Sequence, residues 1–79
     1  MQDQIATYIS TELLKDPTRK IAFDEPLISS GLVDSFSLVD LALFIEDTFG
    51  ARIDDTELTA DIFDTIEELA VLISTRRPT

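Results

Sequence analysis

Seventy-nine residues with an apolar fraction of 44% suffice for one small domain with a thin core, and the expected unit is a single domain over residues 1–79. The chain has no cysteine and no histidine, which excludes disulfides, thiolate or imidazole metal sites, and histidine general-base catalysis. Its net charge of −10 is unevenly placed: residues 34–68 hold eleven acids against the single base Arg52, residues 1–33 five acids against three bases, and residues 69–79 two arginines. An acidic half of this kind repels nucleic acid and acidic membranes. It either steers basic protein surfaces toward itself or simply serves as a solvated face. No apolar run approaches the roughly 18 residues of a membrane span. Met1-Gln2-Asp3-Gln4 lacks the basic and apolar regions of a secretion signal, so the expected compartment is the cytoplasm.

Ile5, Tyr8, Ile9 and Leu13 recur at helical spacing and predict an amphipathic helix over 3–15, ended by Asp16-Pro17. Residues 16–33 form a long connection through Pro17, Pro26 and Gly31. Ile21, Phe23, Leu27, Ile28, Leu32 and Val33 make it too apolar for a linker, so it is expected to pack on the core, with a short helical turn near Pro26-Leu27-Ile28. Asp34 is placed to cap a second helix over 35–49, and Gly50 to stop it. That helix carries nine apolar residues and only Asp40, Glu46 and Asp47 as charges. A period of 3.6 cannot bury them all in so small a bundle, so one side is expected to display apolar groups.

A loop and a short helix are expected around Asp55 to Ala60, with Ile53, Leu58, Ile62 and Phe63 as anchors. Thr65 and Glu68 have the spacing of a capping box for a last helix over about 66–75, whose buried stripe is Ile66, Leu69, Ala70 and Ile73. Arg76 and Arg77 suit its negative C-terminal end. The predicted class is all-α: a small four-helix bundle of three longer helices and one short one, with a long first loop.

Gly31-Leu32-Val33-Asp34-Ser35-Phe36 sets one serine where a loop gives way to the apolar helix. No base of the chain's own stands ready to activate it, which points to a modification site rather than a nucleophile. Read alone, Ser35 is better taken as a helix-start serine chosen for capping; the pattern around it reverses that preference. Ser10, Ser29, Ser30, Ser37 and Ser74 lack this context.

The apolar first helix, the long apolar-studded loop, Gly31-Leu32-Val33-Asp34-Ser35-Phe36, the helix ending in Phe49-Gly50, the short acidic segment and the Thr65-Ile66 start of the last helix together resemble the acyl carrier protein family. The resemblance covers nearly the whole chain. It implies a non-catalytic carrier whose Ser35 bears 4′-phosphopantetheine, added by a phosphopantetheinyl transferase that uses coenzyme A and magnesium. The first helical turn suits a phosphate physically, through its free N–H groups and positive dipole end. A cofactor that brings a thiol lets a chain without cysteine carry thioesters. Asp34 either caps the helix only or, as the resemblance implies, also helps to orient the transferase. Phe36, Asp40, Leu43 and Asp47 form the candidate partner-recognition surface, a greasy centre with charged edges. Phe36, Leu43 and Phe44 are each as compatible with core as with surface, but all three together strain helix geometry as core.

Phe36 stands where leucine or methionine is usual in the family, Ser37 where an acid is frequent, and Phe44 is bulky. These departures point away from general fatty-acid synthesis toward a dedicated fatty-acid, polyketide or other pathway. Gly31-Leu32-Val33-Asp34-Ser35 also resembles stand-alone carriers loaded by adenylating ligases, so acyl and aminoacyl cargo stay open. The implied partners are the transferase and acyl-transfer enzymes such as a ketosynthase, an acyltransferase or an adenylating ligase, met by a monomer. The competing function is a cofactor-free acidic helical adaptor or regulatory module that binds a basic protein. A serine hydrolase is disfavoured by the absence of a G-x-S-x-G elbow and of a base. An EF-hand is disfavoured because Asp54-Asp55-Thr56-Glu57 lacks the spaced ligands and the glycine.

Overall fold

Helix α1 runs from Gln2 to Tyr8 and continues as a π-helical turn, Ile9–Leu13, in a computed structural model that describes residues 1–76. The widening has a local cause. The hydroxyls of Ser10 and Thr11 both donate to the Thr7 carbonyl, at 3.1 and 2.6 Å, and compete with the helical amide for it. The Leu14 N–H then reaches back to the Ile9 carbonyl at 2.8 Å, Lys15 turns into the left-handed region (φ 57°), and Asp16-Pro17 ends the element. The first helix is therefore shorter at its C-terminal end than its apolar spacing predicts.

Helix α2, Ser35–Phe49, has the expected bounds. Asp34 is its N-cap, with extended backbone and a carboxylate that accepts the Ser37 N–H at 2.8 Å. Gly50 adopts φ 71°, a conformation that costs a residue with a Cβ about 1 kcal/mol or more, and this ends the helix. Helix α3 spans Ile66–Arg76. Thr65 Oγ1 accepts the Glu68 N–H at 3.1 Å, as a capping box requires, but the Glu68 carboxylate reaches one residue further and accepts the Asp64 N–H at 2.9 Å. Arg76 closes α3 on a paired carboxylate of Glu57. Arg77 lies outside the described residues.

Among the described residues there are three α-helices and no strand. The short helix expected at Asp55 to Ala60 is only a 3-10 turn, Asp55–Glu57, held by the Asp54 N–H on the Glu57 carboxylate at 3.1 Å. It buries none of its own residues, so no apolar face rewards a longer helix. A second turn follows, in which Ile62 and Phe63 both donate to the Thr59 carbonyl. Phe63 is thereby driven into the core, whereas Ile62, expected as an anchor, stays exposed beside Val71.

One core joins the three helices: Ile5 and Ile9 of α1, Leu38, Leu41 and Ile45 of α2, and Ile66, Leu69 and Ile73 of α3 are all buried. The first connection belongs to it as predicted, since Ile21, Leu27 and Val33 are buried and Phe23, Ile28 and Leu32 pack against them. Tyr8 stacks face to face on Phe44 at 4.1 Å between ring centroids, and Phe44 meets Phe49 edge-on at 6.1 Å, closing the α1–α2 seam. Among the described residues no buried side-chain polar atom lacks a partner, and no helix is long and apolar enough to cross a membrane.

Candidate functional site

The approach to Ser35 is built by the loop before it. The Gly31 N–H donates to the Ile28 carbonyl at 3.1 Å, closing a tight turn, and Gly31 itself leaves it with φ 79°. The Val33 N–H donates to the Leu27 carbonyl at 3.0 Å, and both of those side chains are buried. Chain direction is thus fixed immediately before Asp34. The Asp34 carboxylate takes the Ser37 N–H and its carbonyl takes the Leu38 N–H at 3.0 Å, which sets the first turn of α2. Hydrogen bonds from the Ser37 backbone and then its hydroxyl hold the Asp34 carboxyl below the usual carboxylate range, so it is ionised at neutral pH.

Ser35 follows as the first residue of α2, exposed, with no hydrogen-bond partner for its hydroxyl among the described residues. The other serines differ in this respect. Ser10 is buried and bonded to Thr7, Ser29 to Asp64, Ser30 to the Pro26 carbonyl, and Ser74 to the Ala70 carbonyl. Ser37 is half-buried and turned to Asp34. Of six serines, Ser35 alone combines exposure with an uncommitted hydroxyl among the described residues. A phosphoryl group joined there sits at the positive end of a four-turn helix, where orphan N–H groups favour an anion. The geometry fits a covalent tether, and among the described residues no side chain is hydrogen-bonded to the Ser35 hydroxyl as a general base would be. Among the described residues no group of three metal-binding side chains is assembled either.

The recognition residues proposed from sequence lie along α2. Phe36 is 85% exposed and Leu43 56%. Between them Val39, which sequence reasoning passed over, is also exposed and completes a stripe at i, i+3 and i+7. Its position three after Phe36 and four before Leu43 was the available signal. Asp40 and Asp47 are exposed on the flank of this stripe, each four residues after one of its apolar members. A shallow cleft beside it sets Val39, Leu43 and Glu46 against Arg52, Ile53 and Asp54. Phe44 does not join the stripe, because its stack on Tyr8 turns it into the α1–α2 seam. The Tyr8 hydroxyl donates to the Asp40 carbonyl at 3.3 Å, and burial raises its pKa, with Asp40 and Glu12 adding to the effect.

No curated protein and no solved structure matches this chain. A family does: residues 3–73 match the phosphopantetheine attachment site, a stretch that takes in all but the first residue of α1, the whole first loop, α2 and most of α3. Capped helix, buried approach loop and exposed serine therefore fall inside one continuous match, and the chain belongs to the phosphopantetheine attachment site family, whose cofactor is covalently attached 4′-phosphopantetheine.

Proposed function

We propose that Ser35 is the attachment site and that the protein carries acyl or aminoacyl groups as thioesters for a dedicated biosynthetic pathway. Carrier domains of this family work with a phosphopantetheinyl transferase and with acyl-handling enzymes and are not themselves catalysts. The observation that carries the residue assignment is the exposed, unbonded Ser35 hydroxyl at the start of α2, inside the family match.

The residues divide the work. Ser35 Oγ forms a new O–P bond to the transferred group, the nucleotide part of coenzyme A leaves, and the transferase takes the serine proton. The transferase is needed for this because no carboxylate among the described residues is hydrogen-bonded to the Ser35 hydroxyl and the chain has no histidine. Asp34 orders the first turn, so the hydroxyl stands at a fixed point on a rigid helix. When bound, the cofactor supplies the thiol on which cargo is held. The α2 stripe of Phe36, Val39 and Leu43, flanked by Asp40 and Asp47, presents apolar area and negative charge to basic partner surfaces.

Incubation with a broad-specificity transferase and coenzyme A, followed by intact-mass measurement, tests the reading. One phosphopantetheine adduct on the wild type and none on Ser35→Ala is the expected result. An adduct that persists in Ser35→Ala removes Ser35 from its role. Failure of the wild type to accept any adduct beside a control carrier leaves the cofactor-free adaptor as the better reading.

A further inference from the structure

The loop that delivers Ser35 is held from across the molecule, by the residue that precedes the cap of α3. The Asp64 carboxylate accepts the N–H groups of Ile28 at 2.7 Å and Ser29 at 2.9 Å through Oδ1, and the Ser29 hydroxyl through Oδ2. Its own carbonyl accepts the Leu27 N–H at 2.6 Å. Four donors from three successive residues converge on one residue. The N–H groups of Ile28 and Ser29 open the turn that Gly31 closes, and they are the donors that a local cap would ordinarily satisfy. Pro26 and Leu27 carry no side-chain acceptor, so the cap comes instead from residue 64. A second tie, from the Glu67 N–H to the Phe23 carbonyl at 3.0 Å, holds the middle of the same loop to α3.

From this anchor to the serine the chain has little slack. The Ser30 hydroxyl donates to the Pro26 carbonyl at 2.6 Å, Gly31 is bonded to Ile28, and Val33 is bonded to Leu27 and buried. Asp34 then caps α2. The choice of an ionised residue is informative, since Asp64 adds to an acidic half that already repels itself. Charge-assisted hydrogen bonds are roughly twice as strong as neutral ones, which offsets that cost. The same donors, the Ser29 hydroxyl foremost, hold the Asp64 carboxyl below its ordinary range.

We propose that Asp64 is a positioning residue for the modification of Ser35: by clamping residues 27–29 it presents Asp34-Ser35 to the transferase in one arrangement instead of many. The proposal rests on Ser35 being the attachment site. It makes a kinetic distinction. A loop that is competent only part of the time weakens apparent binding in proportion to its competent fraction and leaves the chemical step untouched. Saturation kinetics of loading, by a broad-specificity transferase with coenzyme A in excess, are compared for wild type, Asp64→Ala, Asp64→Asn, Ser29→Ala and the control Glu57→Ala. The control removes a bonded carboxylate at the 3-10 turn, paired with Arg76 at the opposite end of α3 from Asp64.

The expected result is a KM raised about tenfold by Asp64→Ala and about threefold by Asp64→Asn, which keeps one acceptor, with kcat within about twofold. Ser29→Ala behaves like Asp64→Asn, and Glu57→Ala loads with the wild-type KM. All variants keep wild-type helicity and take the adduct on Ser35. Wild-type KM in Asp64→Ala, with loading still confined to Ser35, overturns the positioning role and leaves the attachment site standing. So does a loss that follows the folded fraction equally in Asp64→Ala and Glu57→Ala. If Asp64→Ala does not fold, Ser29→Ala decides, and an unchanged KM there overturns the proposal. An adduct that survives Ser35→Ala overturns the attachment reading itself, and the proposal with it.

Discussion

Phe36 and Leu41 sit five residues apart on α2 and answer to opposite demands. Phe36 is 85% exposed and Leu41 1%. Truncating Phe36 to alanine removes no core contact and introduces the better helix former, so stability should move by less than about 0.5 kcal/mol. Leu41→Ala empties a core position and should cost about 2–5 kcal/mol, which lowers Tm by at least about 8 °C in a domain of this size. Docking reverses the order. Burying a phenylalanine side chain fully stabilises by about 1.5–3 kcal/mol, and the free protein leaves 85% of that unrealised. A partner that covers the ring gains at most about 1.3–2.5 kcal/mol, roughly ten- to seventyfold in affinity. Thermal melts and saturation kinetics of transferase loading separate the two effects. Phe36→Ala should melt with the wild type and load with a raised KM, whereas Leu41→Ala should melt early and load normally per folded molecule. Phe36→Ala melting as low as Leu41→Ala, or loading with unchanged KM, refutes the assignment of this ring to a docking face.

Two further outcomes follow from charge. Hydrogen bonds from Arg76 and then from the Asp54 N–H hold Glu57 at about 2, below its ordinary 4.5. A depressed carboxyl stabilises the fold fully above its unfolded value and ceases to do so as pH falls through its folded one. The Tm gap between wild type and Glu57→Gln should therefore be present at pH 6 and close between pH 4.5 and about 2; a gap independent of pH contradicts the pairing. Salt should raise the wild-type Tm at neutral pH. At 0.01 M the Debye length of roughly 30 Å spans the molecule's shorter axes of 22 and 21 Å, so the acids of residues 34–68 repel one another unscreened, and at 0.15 M it falls to about 8 Å. A Tm unmoved by salt would mean that the acidic excess carries no net repulsion in the fold.

What the sequence made legible was local. Asp34 and Gly50 bound α2 correctly because a cap and a left-handed stop act within one turn of the residues that need them. The apolar positions of the first loop were readable because burial is the only way to satisfy so many of them at once. Structure departs where competition or distance decides. Two hydroxyls contesting the Thr7 carbonyl open α1 into a π turn, an outcome that apolar spacing does not register. The 3-10 turn at Asp55–Glu57 has caps but no buried face, and propensity alone could not say so. Asp64 meets Ile28 and Ser29 across 36 and 35 residues, and nothing in a single chain marks such a pairing. Ser35 was legible as a helix-start serine. That its hydroxyl stays free while its fellows are bonded needed the coordinates.

The apolar stripe on α2 would by itself suit a second copy of the chain as well as any partner, and its acids break that tie. A twofold contact brings the same patch together from both sides, so the acids Asp40, Glu46 and Asp47 of one copy would lie close to the acids of the other. At about 7 Å in a water-like medium each like-charge pair costs about 0.6 kcal/mol, so a few such pairs offset only part of what Phe36, Val39 and Leu43 gain by burial, but they set a like-charged copy behind an oppositely charged partner. A lysine- or arginine-bearing surface changes the sign of every one of those terms while the apolar gain stays the same. In the proposed docking role the stripe would supply affinity and the acids direction. Screening should act on both at once: added salt should strengthen the fold and weaken the proposed selection of a basic partner. The charge expected to cost this small domain stability at low ionic strength is the same charge that would make the proposed docking face selective, and neutralising it should improve the first at the expense of the second.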